Sequence, residues 1–190
     1  MNRRILVAMT GASGIIYGIR LLQVLRDTES VETHLIVSHD AEKTIGIETE
    51  YTVSYVKSLA SYSYEFDDLA AKPSSGSFKL DCMVIIPCSM KTLASIAVGY
   101  SDNLITRAAM VTLKEQRKLV LVPRETPLNQ IHIVNMLKAC RAGAIILPAM
   151  PGFYHRPKTV ENLVDHVVGK VLDIIGVEHS LYRRWEGLST

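Results

Sequence analysis

The sequence predicts a single-domain α/β protein, residues 1–190, built on a doubly wound parallel sheet. Three observations predict it. The chain contains short, continuous apolar runs rich in β-branched residues, helical periodicity between them, and small or polar residues where each run ends. Runs that are apolar throughout suit strands covered on both faces. Strands alternating with helices imply crossover connections, hence parallel pairing with helices on each side.

The first strand is read at 4–10, RILVAMT. Two arginines precede it, as in a signal peptide, but the run leads into a glycine turn instead of a small-residue cleavage site. The protein is therefore expected in the cytoplasm. A helix follows over 14–27, with Ile15, Ile19, Leu22 and Leu25 on one face. The second strand is ETHLIVS, 32–38, and the third CMVIIPC, 82–88. Between these two, AAKPSSGSF (70–78) reads as loop, because Pro, Ser and Gly occur together. KLVLVP (118–123) is a strand with a central character, and AIILPA (144–149) is the last. Helices are predicted over 129–140, through Ile133, Met136 and Leu137, and over 159–175, through Val160, Leu163, Val164, Val167 and Val171.

Composition narrows the function. The formal net charge is +2, from 21 basic and 19 acidic residues, which favours neither nucleic acid nor an anionic membrane as partner. No apolar stretch is long enough to cross a bilayer. Cys82, Cys88 and Cys140 form no C-x-x-C pair, and the histidines are scattered, so neither a disulfide framework nor a metal site is expected.

In open parallel sheets ligands bind beyond the carboxyl ends of the strands. The residues there are TGASG, SHDAE, PCSMKT, PRETP and PAMPGFYH, together a polar, anion-friendly set. Gly11-Ala12-Ser13-Gly14 lets a ligand approach the backbone at a helix start, although its glycine spacing is not that of the dinucleotide fingerprint. It reads equally as a tight turn with Ser13 as helix cap. Ser89 and Thr92 either cap the next helix or hold a phosphate-like group, and Cys88 is read as a buried structural thiol. Arg124 and Glu125 follow a central strand, where arginine suits phosphate recognition. Arg107 and Lys114 are seven apart, on one face of a helix, which fits a solvated basic face as well as a site. Tyr154, His155 and Arg156 lie on a loop, and Lys170 reads as a surface residue.

The motifs MTGASG, PCSMKTLASIAVGYSDNLITRAA, LVLVPRETPL, NMLKACRAGAIILPAMPGFYHRP and VENLVDHVVGKVLD, in this order from about Ile5 to Gly176, resemble the flavin prenyltransferases of the UbiX/Pad type. The resemblance implies a Rossmann-like, flavodoxin-like fold that binds FMN and forms large homo-oligomers, commonly dodecamers. It implies transfer of a dimethylallyl group from dimethylallyl phosphate to N5 and C6 of reduced FMN, without a metal. The product, prenylated FMN, serves UbiD-type decarboxylases.

Carried onto this chain, the resemblance assigns FMN binding to Gly11, Ala12, Ser13, Ser38, Ser89, Met90, Lys91, Thr92 and Arg124. It assigns the donor phosphate to Arg107, Lys114, Tyr154 and Lys170, the last two from a neighbouring subunit. Ser13, Glu48 and Glu125 take the catalytic positions, with Glu48 preferred over Glu50 by its spacing from Ser38. The tail, about 177–190, is expected at a subunit interface. Leu69 stands where some relatives carry an aromatic residue, and Lys170 where an arginine also occurs. Two other readings are an FMN-dependent cysteine-decarboxylase type, with His34 or His39 as its histidine, and a non-catalytic flavin carrier, against which the phosphate-binding cations argue.

Overall fold

A computed structural model describes residues 3–187. The last three residues of the tail, 188–190, and the first two of the predicted domain lie outside the described residues.

β1 (Arg3–Met9) leads through the TGASG turn into α1 (Ile15–Arg26), and β2 (Val31–Val37) follows. Two further helices, α2 (His39–Glu48) and α3 (Val53–Ser58), precede the short β3 (Tyr62–Tyr64). After a single 3-10 turn at Lys72–Ser74 come β4 (Cys82–Cys88), α4 (Met90–Val98) and α5 (Leu104–Lys114). β5 (Lys118–Pro123), α6 (Gln130–Arg141), β6 (Ile145–Ile146) and α7 (Val160–Ile175) complete the chain.

The strands form one sheet in the order β3-β2-β1-β4-β5-β6, and every pairing is parallel. The chain winds outward from β1 to β3, then returns to the other side of β1 with β4. The topological switch point therefore lies between β1 and β4, where such sheets place their ligands. β4 is buried at every position, and β1 and β5 are buried except at their first residues, as their unbroken apolar runs require.

Side chains pointing to one face of the sheet pack under α1 and α7; those pointing to the other pack under α4 and α5. Ile15, Ile19, Leu22 and Leu25 of α1 are all essentially buried, each contributing about 1.5–3 kcal/mol of transfer free energy. Gly18 makes this contact possible: a Cβ there would collide with the Ile86 carbonyl oxygen on β4.

Two expectations change. The last strand shrinks from 144–149 to Ile145–Ile146, because at the sheet edge it pairs with β5 alone. The predicted face of α6 is a core face only in part: Met136 packs against the core, but Ile133 and Leu137 are exposed, and the helix buries Asn135 and Ala139. β3, α2 and α3 carry no expectation from the sequence, and their short lengths and polar admixture explain why periodicity does not mark them; α4 is the helix that Ser89 was expected to cap.

Candidate functional site

β1 ends in Thr10, and its hydroxyl bridges the switch point. It donates to the Pro87 carbonyl at 2.8 Å and accepts the Ser89 N–H at 2.7 Å. This bond holds the ends of β1 and β4 at one height. Beside it, Ser38 caps α2 by accepting from Ala41 N–H at 3.2 Å, and Ser89 caps α4 by accepting from Thr92 N–H at 3.2 Å. Asn103 caps α5 in a reciprocal box with Thr106. Each cap takes one amide and leaves others of the first turn open, with the positive end of the helix dipole behind them.

These three helix N-termini face one cleft of about 610 Å³, lined among others by Thr10, Gly11, Ser38, Ser89, Lys91 and Thr92. The side chains of the lining are not predominantly basic. Asp40 pairs with Lys91 at 3.7 Å, Asp67 with His39 Nε2 at 2.7 Å, and Asp102 accepts from Asn103 at 2.7 Å. The pull on an anion therefore comes from backbone amides more than from lysine or arginine. Gly11 is required here, because a Cβ would run into the Asp40 side chain and its space is needed for the approach of α2.

The other side of the TGASG turn carries a second cluster. Gly14, the N-cap of α1, has φ +94° and offers no side chain to the helix. Glu48, from the far end of α2, supplies the cap instead: its Oε2 accepts from Gly14 N–H at 2.8 Å and Ile15 N–H at 3.0 Å. Ser13 is thus not the helix cap that the turn alone allows. Its hydroxyl helps to hold the Glu48 carboxylate ionised, and its carbonyl accepts from Arg124 Nε at 3.0 Å. Burial works to raise the Glu48 pKa, but the Ser13 hydroxyl, the two amides and the Arg124 charge outweigh it, so the carboxyl is held below its ordinary value. Ser13, Glu48 and Arg124, which the resemblance assigns separately, are thereby one connected group. Glu125 is next in sequence to Arg124, but its carboxylate accepts from Thr126 N–H at 3.1 Å. Ala12 is buried, and Met90 opens α4.

The four residues assigned to the donor phosphate fall into two places. Arg107 and Lys114 lie two turns apart on α5, facing the Ser-Gly-Ser loop. Arg107 Nε donates to the Ser74 carbonyl at 3.0 Å, and Lys114, paired with Glu115, lies against Gly76. Tyr154 and Lys170 belong to a separate region under the C-terminal tail. Tyr154 meets His155, His166 and Trp185 edge to face, and Lys170 pairs with Asp173 at 3.7 Å. Among the described residues no hydrogen bond or ion pair joins the two places. Leu69 is exposed, on the same connection as the loop.

His34 is excluded from acid–base work on a ligand in the cleft. It is buried, with Nε2 bonded to Glu32 at 2.9 Å and Nδ1 to the Tyr64 hydroxyl at 2.9 Å. Burial lowers its pKa despite Glu32 beside it. His39 does line the cleft. Cys88 is buried, and burial pushes its thiol up to about 12, the behaviour of a structural cysteine. Sequence reasoning missed Thr10, Asn103 and the carboxylate Asp173. Asn103 was signalled by Thr106 three residues on, before an apolar run; a hub such as Asp173 has no local signal.

Comparison with known proteins agrees with this geometry. The model of the Flavoprotein family matches residues 1–175. The "Probable UbiX-like flavin prenyltransferase" of Bacillus subtilis (strain 168) is 55% identical over 97% of this chain and 90% of its own. The dodecameric FMN-dependent UbiX-like decarboxylase of Escherichia coli O157:H7 superposes with a TM-score of 0.95 at 54% identity, over 97% of this chain and all (100%) of its own. AnUbiX, solved in complex with FMN and dimethylallyl pyrophosphate, gives 0.97 at 51% identity, covering 100% of both chains. With its strand-end cleft, its TGASG turn and this near-complete kinship, the chain belongs to the UbiX-like flavin prenyltransferase family.

Proposed function

We infer that this chain joins the dimethylallyl group of dimethylallyl phosphate to reduced FMN, at N5 and C6, to make prenylated FMN. Family membership over nearly the whole chain is the observation that carries this reading. The residues present fit FMN. A phosphate suits the converging N-termini of α2, α4 and α5, with Ser38, Ser89, Met90, Lys91 and Thr92 around it. A flat ring system needs bare backbone, which Gly11 and Ala12 offer, with Arg124 behind the turn.

Reduced FMN, when bound, supplies the nucleophile, so the chain itself needs none. Its own residues stabilise the departing phosphate and move protons. Arg107 and Lys114 offer charge at the Ser-Gly-Ser loop, and Tyr154 and Lys170 complete the grip from a neighbouring subunit. Their separation within one protomer supports that division. The exposed apolar residues Ile131, Ile133 and Leu137 of α6 and Phe153 support a subunit contact, in a dodecamer like that of the Escherichia coli relative. The tail from 177 belongs to that interface. Ser13 and Glu48 form the proton-accepting pair, because an ionised carboxylate held against a hydroxyl readies that hydroxyl to take up a proton as it yields its own. Glu125 is the second acidic group. The product passes in the cytoplasm to a UbiD-type decarboxylase.

The test is anaerobic incubation of the protein with reduced FMN and dimethylallyl phosphate, then mass spectrometry of the extracted flavin. A flavin heavier by one five-carbon unit is expected. Unmodified flavin from protein shown to bind FMN, with the diphosphate donor also tried, would return the reading to a decarboxylase-type flavoprotein or carrier.

A further inference from the structure

Beyond the packing of Val177 and Leu181 on the core, the polar side chains of the segment after α7 converge on one carboxylate. Asp173 accepts from the Tyr182 hydroxyl at 2.6 Å, from Arg184 Nη2 at 2.6 Å and from His179 Nε2 at 3.1 Å. His179 Nδ1 accepts from the Leu181 N–H at 3.2 Å, so the ring proton of the neutral imidazole sits on Nε2 and is donated to Asp173. Lys170, one turn earlier on α7, adds an ion pair at 3.7 Å. Three residues of the tail and one of the helix thus meet at a single side chain. Burial by itself would raise the pKa of Asp173; the Arg184, Tyr182 and His179 donors reverse that and hold it well below the carboxylate range.

Apolar burial does not explain why the end of this segment is placed. Arg183, Arg184 and Trp185 are exposed, Trp185 at 61%. What fixes their position is the Asp173 network together with the seat of Tyr182 and His179 on α7. At that seat Gly169 has no room for a Cβ, which would lie 2.5 Å from the Tyr182 ring and 2.7 Å from His179. From Tyr182 the chain delivers Trp185 edge to face against Tyr154, at 6.0 Å between ring centroids. Tyr154, Arg156, Arg183, Arg184 and Trp185 then line a cleft of about 440 Å³.

We propose that Asp173 is a positioning residue for prenyl transfer: it clamps the 179–185 segment so that Arg184 and Trp185 stand beside Tyr154 and Lys170 and complete the subunit's contribution to the donor-phosphate site. This rests on the reading of Tyr154 and Lys170 as donor-phosphate residues. Asp173 touches neither donor nor flavin in this scheme. It acts by holding the tail against α7 and by restraining the Lys170 side chain from the same helix.

Trp185 is the sole tryptophan, so its fluorescence reports the tail directly. In the FMN-loaded oligomer, Asp173→Asn is expected to increase acrylamide quenching of Trp185. It is expected to raise KM for dimethylallyl phosphate about ten-fold, the size of a lost charge-assisted hydrogen bond, with kcat and FMN content little changed. Tyr182→Phe, which leaves α7 intact, should shift both readouts in the same direction by less, and stands in if the Asn variant does not fold. Unchanged quenching in both variants would overturn the clamp. Increased quenching with unchanged KM would overturn the tail's part in donor binding. In that case Lys170→Ala separates the two ideas: a raised KM there leaves the donor site standing, and an unchanged KM removes it as well.

Discussion

Replacing Glu48 by Gln changes the charge at the start of α1 with almost no change of shape. The native helix has no cap of its own, since Gly14 carries no side chain, and it takes one from the end of α2 through two amide bonds of 2.8 and 3.0 Å. Hydrogen bonds to an ionised acceptor contribute about 1.5–3 kcal/mol against about 0.5–1.5 for neutral ones, so about 1 kcal/mol is lost per bond. The helix dipole adds about 0.3–1 kcal/mol. Glu48 is exposed to solvent, which screens much of this, and about 1 kcal/mol is the expected net loss at neutral pH. In urea unfolding at fixed protomer concentration, that is roughly a five-fold change in the unfolding constant. The folded-state pKa of Glu48 lies below its ordinary value of 4.5, so its contribution is full above that value and is lost as pH falls through the folded one. The gap between native and variant should therefore close as pH is lowered below 4.5 and through the folded-state value. A variant as stable as the native protein at neutral pH, or a gap that stays constant with pH, would refute the reasoning.

Glu125→Gln should slow prenyl transfer by on the order of a hundred-fold while FMN stays bound; unchanged turnover removes Glu125 from the mechanism. Gly18→Ala places a methyl against the Ile86 carbonyl and Met9, and overpacking of about 1–3 kcal/mol should lower the thermal midpoint by about 3–10 °C. Gly46→Ala, within α2 and with nothing within 4 Å, should instead stabilise by about 0.5–1 kcal/mol in the same assay. Under native conditions at pH 8, mass spectrometry after thiol labelling should find Cys82 and Cys88 unmodified, since both are buried with pKa values pushed up to about 12.

Much of this protein is determined locally. The apolar runs of β1, β4 and β5 specify strands buried on both faces, because no other environment accommodates side chains that are apolar at every position. The α1 stripe of Ile15, Ile19, Leu22 and Leu25 specifies the face that docks on them. Ser38 and Ser89 carry their capping role in their own chemistry, so the strand-end set was legible as an anion-friendly site, whereas Asn103, which follows a helix and not a strand, fell outside that set. Tertiary structure decided what no window of sequence contains. Whether the apolar stripe of α6 faces the core or the outside depends on what packs against it. That Glu48 caps a helix more than thirty residues earlier, that Thr10 bridges to Pro87 and Ser89, and that His34 is sealed while His39 lines the cleft, all follow from strand order. The same holds for Tyr154 and Lys170, which sit with the tail and away from Arg107 and Lys114. The physical reason is range: backbone preference and burial pattern act over a few neighbouring residues, whereas a hydrogen bond forms between whichever groups the packed sheet brings within about 3 Å.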